Sequence, residues 1–312
     1  MIVGCDHLGI GVADIEFGIN AGASLLGLRN DFSETGLLNH PSKRRYVASW
    51  QDDHDIAFLR PPGAGPALEL VHHSDGRAAG LSQRTALVIN GPLSGQGPQN
   101  ANPPWTNESV DRASQAYGGN SAEAGALPGD LGSVIVIHPK AESSAEPGEI
   151  LGAAIRVSNL QSSVAYWRDA LRFQLTATDD DHPENWALMS LRTPVPSWSL
   201  RIALVQSDEV DQTPGFLDAL GMTNICLLTT NAEADAKLLA EFPGASMEPP
   251  FQIKVSDRSL RVAVGHGPNG ENIELIEIER GDRSQNARTT DRFIFLHPRG
   301  DDQLPGSVAP DN

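Results

Sequence analysis

Four short apolar segments recur along this chain at roughly 70-residue intervals, and a fixed period of that kind means one supersecondary unit used several times. They are residues 6–12 (DHLGIGV), 84–89 (RTALVI), 152–157 (GAAIRV) and 224–229 (NICLLT). Three of them are followed by a good N-cap (Asp14, Asn159, Asn231) and then a helix-like run. The first and fourth units also close on strands with a Glu between apolar neighbours, Leu68-Glu69-Leu70 and Ile273-Glu274-Leu275.

Within unit one the pattern predicts a strand, a helix over 15–28 that breaks near Gly27, and three strands at 44–50, 55–60 and 67–72, the last two forming a hairpin across the Pro/Gly-rich 61–66. Unit three repeats the order with a strand at 151–157, a helix face of Val164, Trp167 and Leu171, and strands at 186–192 and 200–206. Unit four places its helix at 232–242 and its strands at 252–255, 260–265 and 272–279. Unit two is degenerate: a strand at 85–90, a helix at 108–117 and a strand at 133–138, with 91–104 and 118–132 reading as long loops. The expected division is 1–75, 76–145, 146–210 and 220–280 for the four units, with the loop 139–148 dividing the halves. A polar tail, 281–312, carries one apolar run at 293–296.

Composition narrows the function. The net charge of −17 argues against nucleic acid or an anionic membrane as partner, because both need basic patches. The acidic residues are spread rather than blocked, which reads as solubility. No apolar run approaches the length of a membrane span, and the chain enters its first strand at once, without the pattern of a signal peptide. Two cysteines, Cys5 and Cys226, make no disulfide framework; free thiols in a cytoplasmic protein are expected. Neither a phosphate loop, a dinucleotide fingerprint, a nucleophile elbow nor a zincin motif occurs.

The pattern resembles the vicinal oxygen chelate superfamily, which includes glyoxalases, bleomycin-type resistance proteins and extradiol dioxygenases. The matching stretches are Asp6-His7-Leu8-Gly9, the helix run Ala165-Tyr166-Trp167-Arg168-Asp169-Ala170-Leu171, and the hairpin Gly267-Pro268-Asn269-Gly270-Glu271-Asn272-Ile273-Glu274-Leu275. The resemblance covers residues 2–280 and implies an α+β fold of four βαβββ units forming two incomplete β-barrels. It also implies metal ligands on the first and last strands of paired units. Those positions are His7 and Glu69 in unit one and Asn224 and Glu274 in unit four. Unit three offers Gly152 and about Ala203 there, which cannot ligate, so if there is a metal, units one and four must pair, leaving units two and three to form a second, structural barrel.

Strand alternation tests these positions without the family. Glu274 shares a face with Ile276 and Ile278, and Glu69 with Ala67 and Val71. A carboxylate on an apolar face needs a metal or a hydrogen-bond partner, because burying it bare is very costly. The alternative for each is a strand-end Glu reaching solvent or pairing with Arg. His7 shares its face with Cys5, Gly9 and Gly11, small residues that leave room for a ligand, while Leu8, Ile10 and Val12 form a bulky face suited to helices. Asn224 reads equally as a weak ligand or a hydrogen-bonding strand residue. His73 follows on the face of Glu69 as a substitute ligand, and His266 is a candidate for substrate contact or proton transfer. His40, His54, His138, His182 and His297 read as solvated.

The ring-cleaving branch of the family has a His where this chain has Asn224. One imidazole, one amide and two carboxylates suit a divalent Lewis acid (Zn, Ni, Co, Mn or Mg) better than redox iron. The expected activity is therefore a metal-dependent isomerase or lyase acting on a small oxygenated metabolite through a metal-bound enolate, with Glu274 or Glu69 as base. Two alternatives stay open. One is an extradiol-type dioxygenase using Fe, with His73 or His266 supplying the missing imidazole. The other is a metal-free binding or resistance protein, or an acid–base enzyme without cofactor. The expected partner is a small molecule. Homodimers are common in the family, yet four units in one chain can complete both barrels internally.

Overall fold

The structure is a computed structural model, and it describes residues 1–62, 65–74, 82, 84–91, 105–127, 131–139, 148–179, 181–193, 195, 198–209, 214–256 and 258–278. The expected tail 281–312 with its apolar run, most of the loop 91–104, the centre of the divider 139–148 and His297 lie outside the described residues.

The first repeat folds as β1 (Ile2–Gly11), α1 (Ile15–Leu26), β2 (Arg29–Leu38), β3 (Asp53–Arg60) and β4 (Ala67–His72). The second comprises β5 (Thr85–Asn90), α2 (Asn107–Ala116), β6 (Gly119–Leu127) and β7 (Gly132–Pro139). The third runs β8 (Ile150–Val157), α3 (Leu160–Ala165), β9 (Gln174–Thr178), β10 (Trp186–Leu191) and β11 (Leu200–Gln206), with a π-helical turn (Tyr166–Ala170) continuing α3. The fourth has β12 (Gly221–Thr229), α4 (Ala232–Ala240), β13 (Ser246–Met247), β14 (Phe251–Val255), β15 (Arg258–His266) and β16 (Asn272–Glu277). Each expected cap forms: the side chains of Asp14, Asn159 and Asn231 accept from the backbone N–H of Phe17, Ser162 and Ala234 at 2.8, 2.9 and 3.0 Å. Gly27 closes α1 in the left-handed region at φ 63°, where a side chain would be strained.

Among the described residues the strands form two sheets. One runs β13-β15-β16-β12-β1-β4-β3-β2, with β14 added to β15, so the first and fourth repeats share it. The other runs β6-β7-β5-β8-β11-β10-β9 and joins the second and third. Within each, the two repeats meet through antiparallel first strands, β1 with β12 and β5 with β8. Neither sheet closes into a barrel, and the fold is α+β as expected.

Period-two alternation sorts the side chains. Leu8, Ile10, Leu68, Leu70, Ile225, Leu227, Ile273 and Leu275 enter one large core shared with the outer face of the second sheet and with α1, the α3 turn and α4. The opposite face of the first sheet builds a separate core from Phe58, Cys226, Leu228, Val262 and Ile276. In the second sheet that inner face is filled by α2, whose Val110, Ala113 and Ala116 pack on Val88, Ile135, Ala154 and Val205. The Tyr117 hydroxyl follows α2 onto the sheet and lies 2.9 and 2.8 Å from the carbonyls of Ala153 and Arg201. The second sheet thus covers this face with a helix, whereas on the first the same face carries polar groups among its apolar residues. Among the described residues no helix is long and apolar enough to cross a membrane.

Three expected elements differ. The edge strand of unit one is β2, not 44–50; its side chains are mostly exposed, so it carries no alternating apolar signal, and it forms only by laddering on β3. Residues 44–46 instead end a 3₁₀ turn (Pro41–Tyr46) started by Pro41 and capped by His40. The supposed loop 118–132 contains β6, paired along β7; its Gly/Ala/Ser composition reads as loop, but small residues fit under α2. Unit three gains β9, a largely exposed strand laddered on β10.

Candidate metal centre

The site lies where β4, β1, β12 and β16 run side by side. The register aligns Ala67, His7, Cys226 and Glu274 in one row across these strands, and Glu69, Gly9, Asn224 and Asn272 in the adjacent row. His7, Glu69, Asn224 and Glu274 therefore occupy two neighbouring rows of one face, separated by the small residues Gly9 and Cys226. A Cβ on Gly9 would fall 1.5 Å from the Asn224 Oδ1, so only glycine leaves space for that amide.

The expected residues are brought together, with one exception. Ligand atoms of His7, Glu69 and Glu274 all lie within 4.8 Å of one another. The His7 Nε2 stands 3.0 Å from Glu69 Oε2. Asn224 Nδ2 donates to Glu274 Oε2 at 3.1 Å, while its Oδ1 accepts from the Thr223 hydroxyl at 3.2 Å. In this arrangement Asn224 orients Glu274 rather than presenting an oxygen of its own. His266 is the exception. Its Nε2 is engaged with the Gly215 carbonyl at 3.1 Å and its ring packs on Tyr46, away from the cavity that holds the other four.

Four participants were not legible as site residues. Asp6 is buried, and its Oδ2 is 2.9 Å from His7 Nδ1. Neighbours on a regular strand point to opposite faces; here the register shifts between Cys5 and His7, a bulge that lets Asp6 reach its neighbour's ring. The Asp-His dipeptide was the available signal. Such a carboxylate fixes the imidazole tautomer and turns Nε2 outward as a ligand. Lys43, carried over the sheet by the 3₁₀ turn, puts its Nζ 3.8 Å from Glu274 Oε1. His40 and His54, expected to be solvated, also line the cavity. His40 stacks on Phe251, and His54 stacks on His73 with ring centroids 5.4 Å apart.

Electrostatics follow from this packing. Burial disfavours a charged His7, but the Cys226 and Glu69 charges and the Asp6 hydrogen bond outweigh it and hold the imidazole well above its ordinary value. Burial also keeps the Cys226 thiol protonated far above the usual thiol range, so near neutrality Glu69 and Asp6 carry that effect. Burial opposes ionisation of Glu69, yet the charge and hydrogen bond of His7, with Lys43 and His54, hold it below the usual carboxylate range. His54 and His73 go the other way: burial, aided by the Lys43 charge, pushes them down to about 3 and about 4, so both are neutral imidazoles.

Three carboxylates (Asp6, Glu69, Glu274) thus face one imidazole and one ammonium, a surplus of negative charge at a buried point. One imidazole and two carboxylates within 4.8 Å, with a third carboxylate behind the imidazole, fit a divalent cation. The cavity above them has a volume of about 60 Å³ and is otherwise mostly aliphatic. Among the described residues no other cluster of at least three ligand groups occurs except Asp6, His7 and Cys226 in the same place; none lies on the second sheet.

No protein-family profile and no curated protein matches the sequence. Solved structures match its fold. Glyoxalase I from Zea mays superposes with a TM-score of 0.52 at 15% identity, over 88% of this chain and 92% of its own. A point mutant of the same enzyme gives 0.54 at 14% identity with the same coverage. A glyoxalase family protein from Enterococcus faecalis matches 41% of this chain and 97% of itself at 22% identity, TM-score 0.33. The chain has the vicinal oxygen chelate fold. Within that fold the match to the plant glyoxalase I extends over most of both chains.

Proposed function

We propose that this protein is a metal-dependent isomerase or lyase acting on a small oxygenated metabolite. The observation that carries the reading is the convergence of His7, Glu69 and Glu274 within 4.8 Å, from the first and last strands of the two repeats that share a sheet. A divalent cation there would supply Lewis-acid stabilisation to negative charge developing on a substrate oxygen. His7 holds its Nε2 for the cation because Nδ1 is tied to Asp6. Glu274 is the better placed proton acceptor of the two glutamates, since Asn224 fixes one of its oxygens and Lys43 flanks the other. The aliphatic walls exclude water from that proton.

The dioxygenase alternative requires two imidazoles and one carboxylate. Among the described residues no ligand cluster contains a second histidine: His73 is stacked on His54 and His266 is turned to Gly215. The Lewis-acid reading is therefore preferred. The test is elemental analysis of protein purified without chelator or affinity metal, beside Glu274→Ala. About one equivalent of divalent metal, lost in the variant, supports the reading; an intact wild-type fold that takes up none from Zn(II), Ni(II), Co(II) or Mn(II) ends it. Glu274→Gln with metal retained and substrate proton exchange abolished would identify the base, and retained exchange would transfer that role to Glu69.

A further inference from the structure

We infer that Lys43 is a substrate-binding residue, and that the substrate carries a carboxylate distal to the oxygens presented to the metal. The inference rests on the functional reading above and names the substrate class of that site. Lys43 is mostly buried, with 15% of its side chain exposed, and lines the cavity beside Glu274. Its 3.8 Å approach to Glu274 Oε1 is too long for a close charged hydrogen bond. Asn224 already engages the other oxygen of Glu274, and a cation held by the cluster would take up Glu274 and Glu69, which would leave the ammonium for an anionic ligand.

The wall beside Lys43 is independently incomplete. His54 and His73 line the same cavity, and the Nδ1 of each is buried without a hydrogen-bond partner. His73 is 7% exposed. A buried imidazole nitrogen with no partner costs free energy unless a ligand atom meets it. Neutral imidazoles add no charge of their own, so Lys43 is the charged element of this wall, and Lys254 lies at the cavity's exposed side. Apart from the ligand cluster with Thr223 and Asn224, and from Asn39, His40 and Lys254, the remaining lining is aliphatic, including Ile56, Val71, Leu217 and Ile276. One mostly buried cation, two neutral imidazoles and a tight, largely aliphatic cavity describe a receptor for one carboxylate of a small oxyacid. The opposite end of that acid would reach the His7–Glu69–Glu274 cluster.

The test uses malate and its 4-amide, which share a hydroxy-acid end and differ only in whether the distal group is charged. Their binding to the full chain is measured by calorimetry with and without Zn(II). Wild type is expected to bind malate at least about tenfold more tightly than the amide, the size of one charged hydrogen bond. Lys43→Met should remove that preference and Lys43→Arg should keep most of it, with both variants folded by circular dichroism. Equal affinities for the two acids in wild type, or a preference unchanged in Lys43→Met, would overturn the inference. Metal uptake on the same samples separates the two ideas. A metal-binding protein without the preference loses only the Lys43 assignment, whereas a protein with a Lys43-dependent preference and no metal uptake loses only the metal reading.

Discussion

Gly9 can be made to report on the whole site. Its Cβ position lies 1.5 Å from Asn224 Oδ1 and 2.6 Å from Asn224 Cγ, so Gly9→Ala cannot coexist with that rotamer. To reach van der Waals contact the amide must withdraw by about 2 Å. That breaks the 3.1 Å bond from Asn224 Nδ2 to Glu274 Oε2. A hydrogen bond to a charged acceptor is worth about 1.5–3 kcal/mol, and forcing a methyl into a packed site adds roughly 1–3 kcal/mol. Gly9→Ala should therefore destabilise the metal-free protein by about 2.5–6 kcal/mol in urea denaturation. It should weaken Zn(II) affinity by about 10- to 100-fold in a chelator competition, because the orienting partner of a ligand is lost. The decisive measurement is a double-mutant cycle. Asn224→Ala removes the clashing oxygen, so Gly9→Ala added to it should cost no more than about 0.5 kcal/mol. Fully additive costs would mean that Gly9 matters for the β1 backbone and not for seating Asn224, and the two-row description of the site would be wrong.

Other consequences are simpler to test. Asp6→Asn should keep the fold yet lower metal affinity about 10- to 100-fold, because the amide no longer holds the His7 tautomer; unchanged affinity would remove Asp6 from the centre. Burial raises the Glu271 carboxyl from the ordinary 4.5 to about 7, so its contribution to stability is fully present below 4.5 and lost as pH rises through about 7. At about 1.4 kcal/mol per pH unit that is roughly 3 kcal/mol, and Glu271→Gln should abolish this part of the pH dependence when urea midpoints at pH 4.5 and 8 are compared. A Cβ on Gly152 would lie 2.1 Å from the Arg201 carbonyl and 2.5 Å from the Tyr117 hydroxyl, at a φ of 145°. Gly152→Ala should thus cost about 2 kcal/mol or more by unseating the residue that follows α2, without changing metal uptake, since the second sheet contributes no ligand. Metal loss in that variant would contradict the separation of the two sheets.

Much of this architecture is written in local pattern. The repeat spacing, the caps at Asp14, Asn159 and Asn231, and the alternation in β1, β4 and β16 depend on near neighbours, so they survive in the one-dimensional string. The same alternation put His7, Glu69 and Glu274 on the inner face, opposite the residues that enter the shared core. What the string did not carry were features set by distant partners. β2 and β9 are exposed strands formed by laddering on neighbours, and β6 reads as a loop until α2 covers it. Asp6 reaches His7 only through a bulge set by pairing with β12. Lys43 and His54 gain their place from a 3₁₀ turn and a strand end folding over the sheet, and His266 loses its expected place because Gly215 and Tyr46 engage it. The sequence by itself determined which residues share a face, because that follows from a two-residue period in the backbone. The lack of ligand types at Gly152 and Ala203 already pointed the site to the pair of units one and four; only the tertiary structure decided what fills the matching face of the second sheet, because that turns on where α2 packs, a contact between segments far apart in the chain.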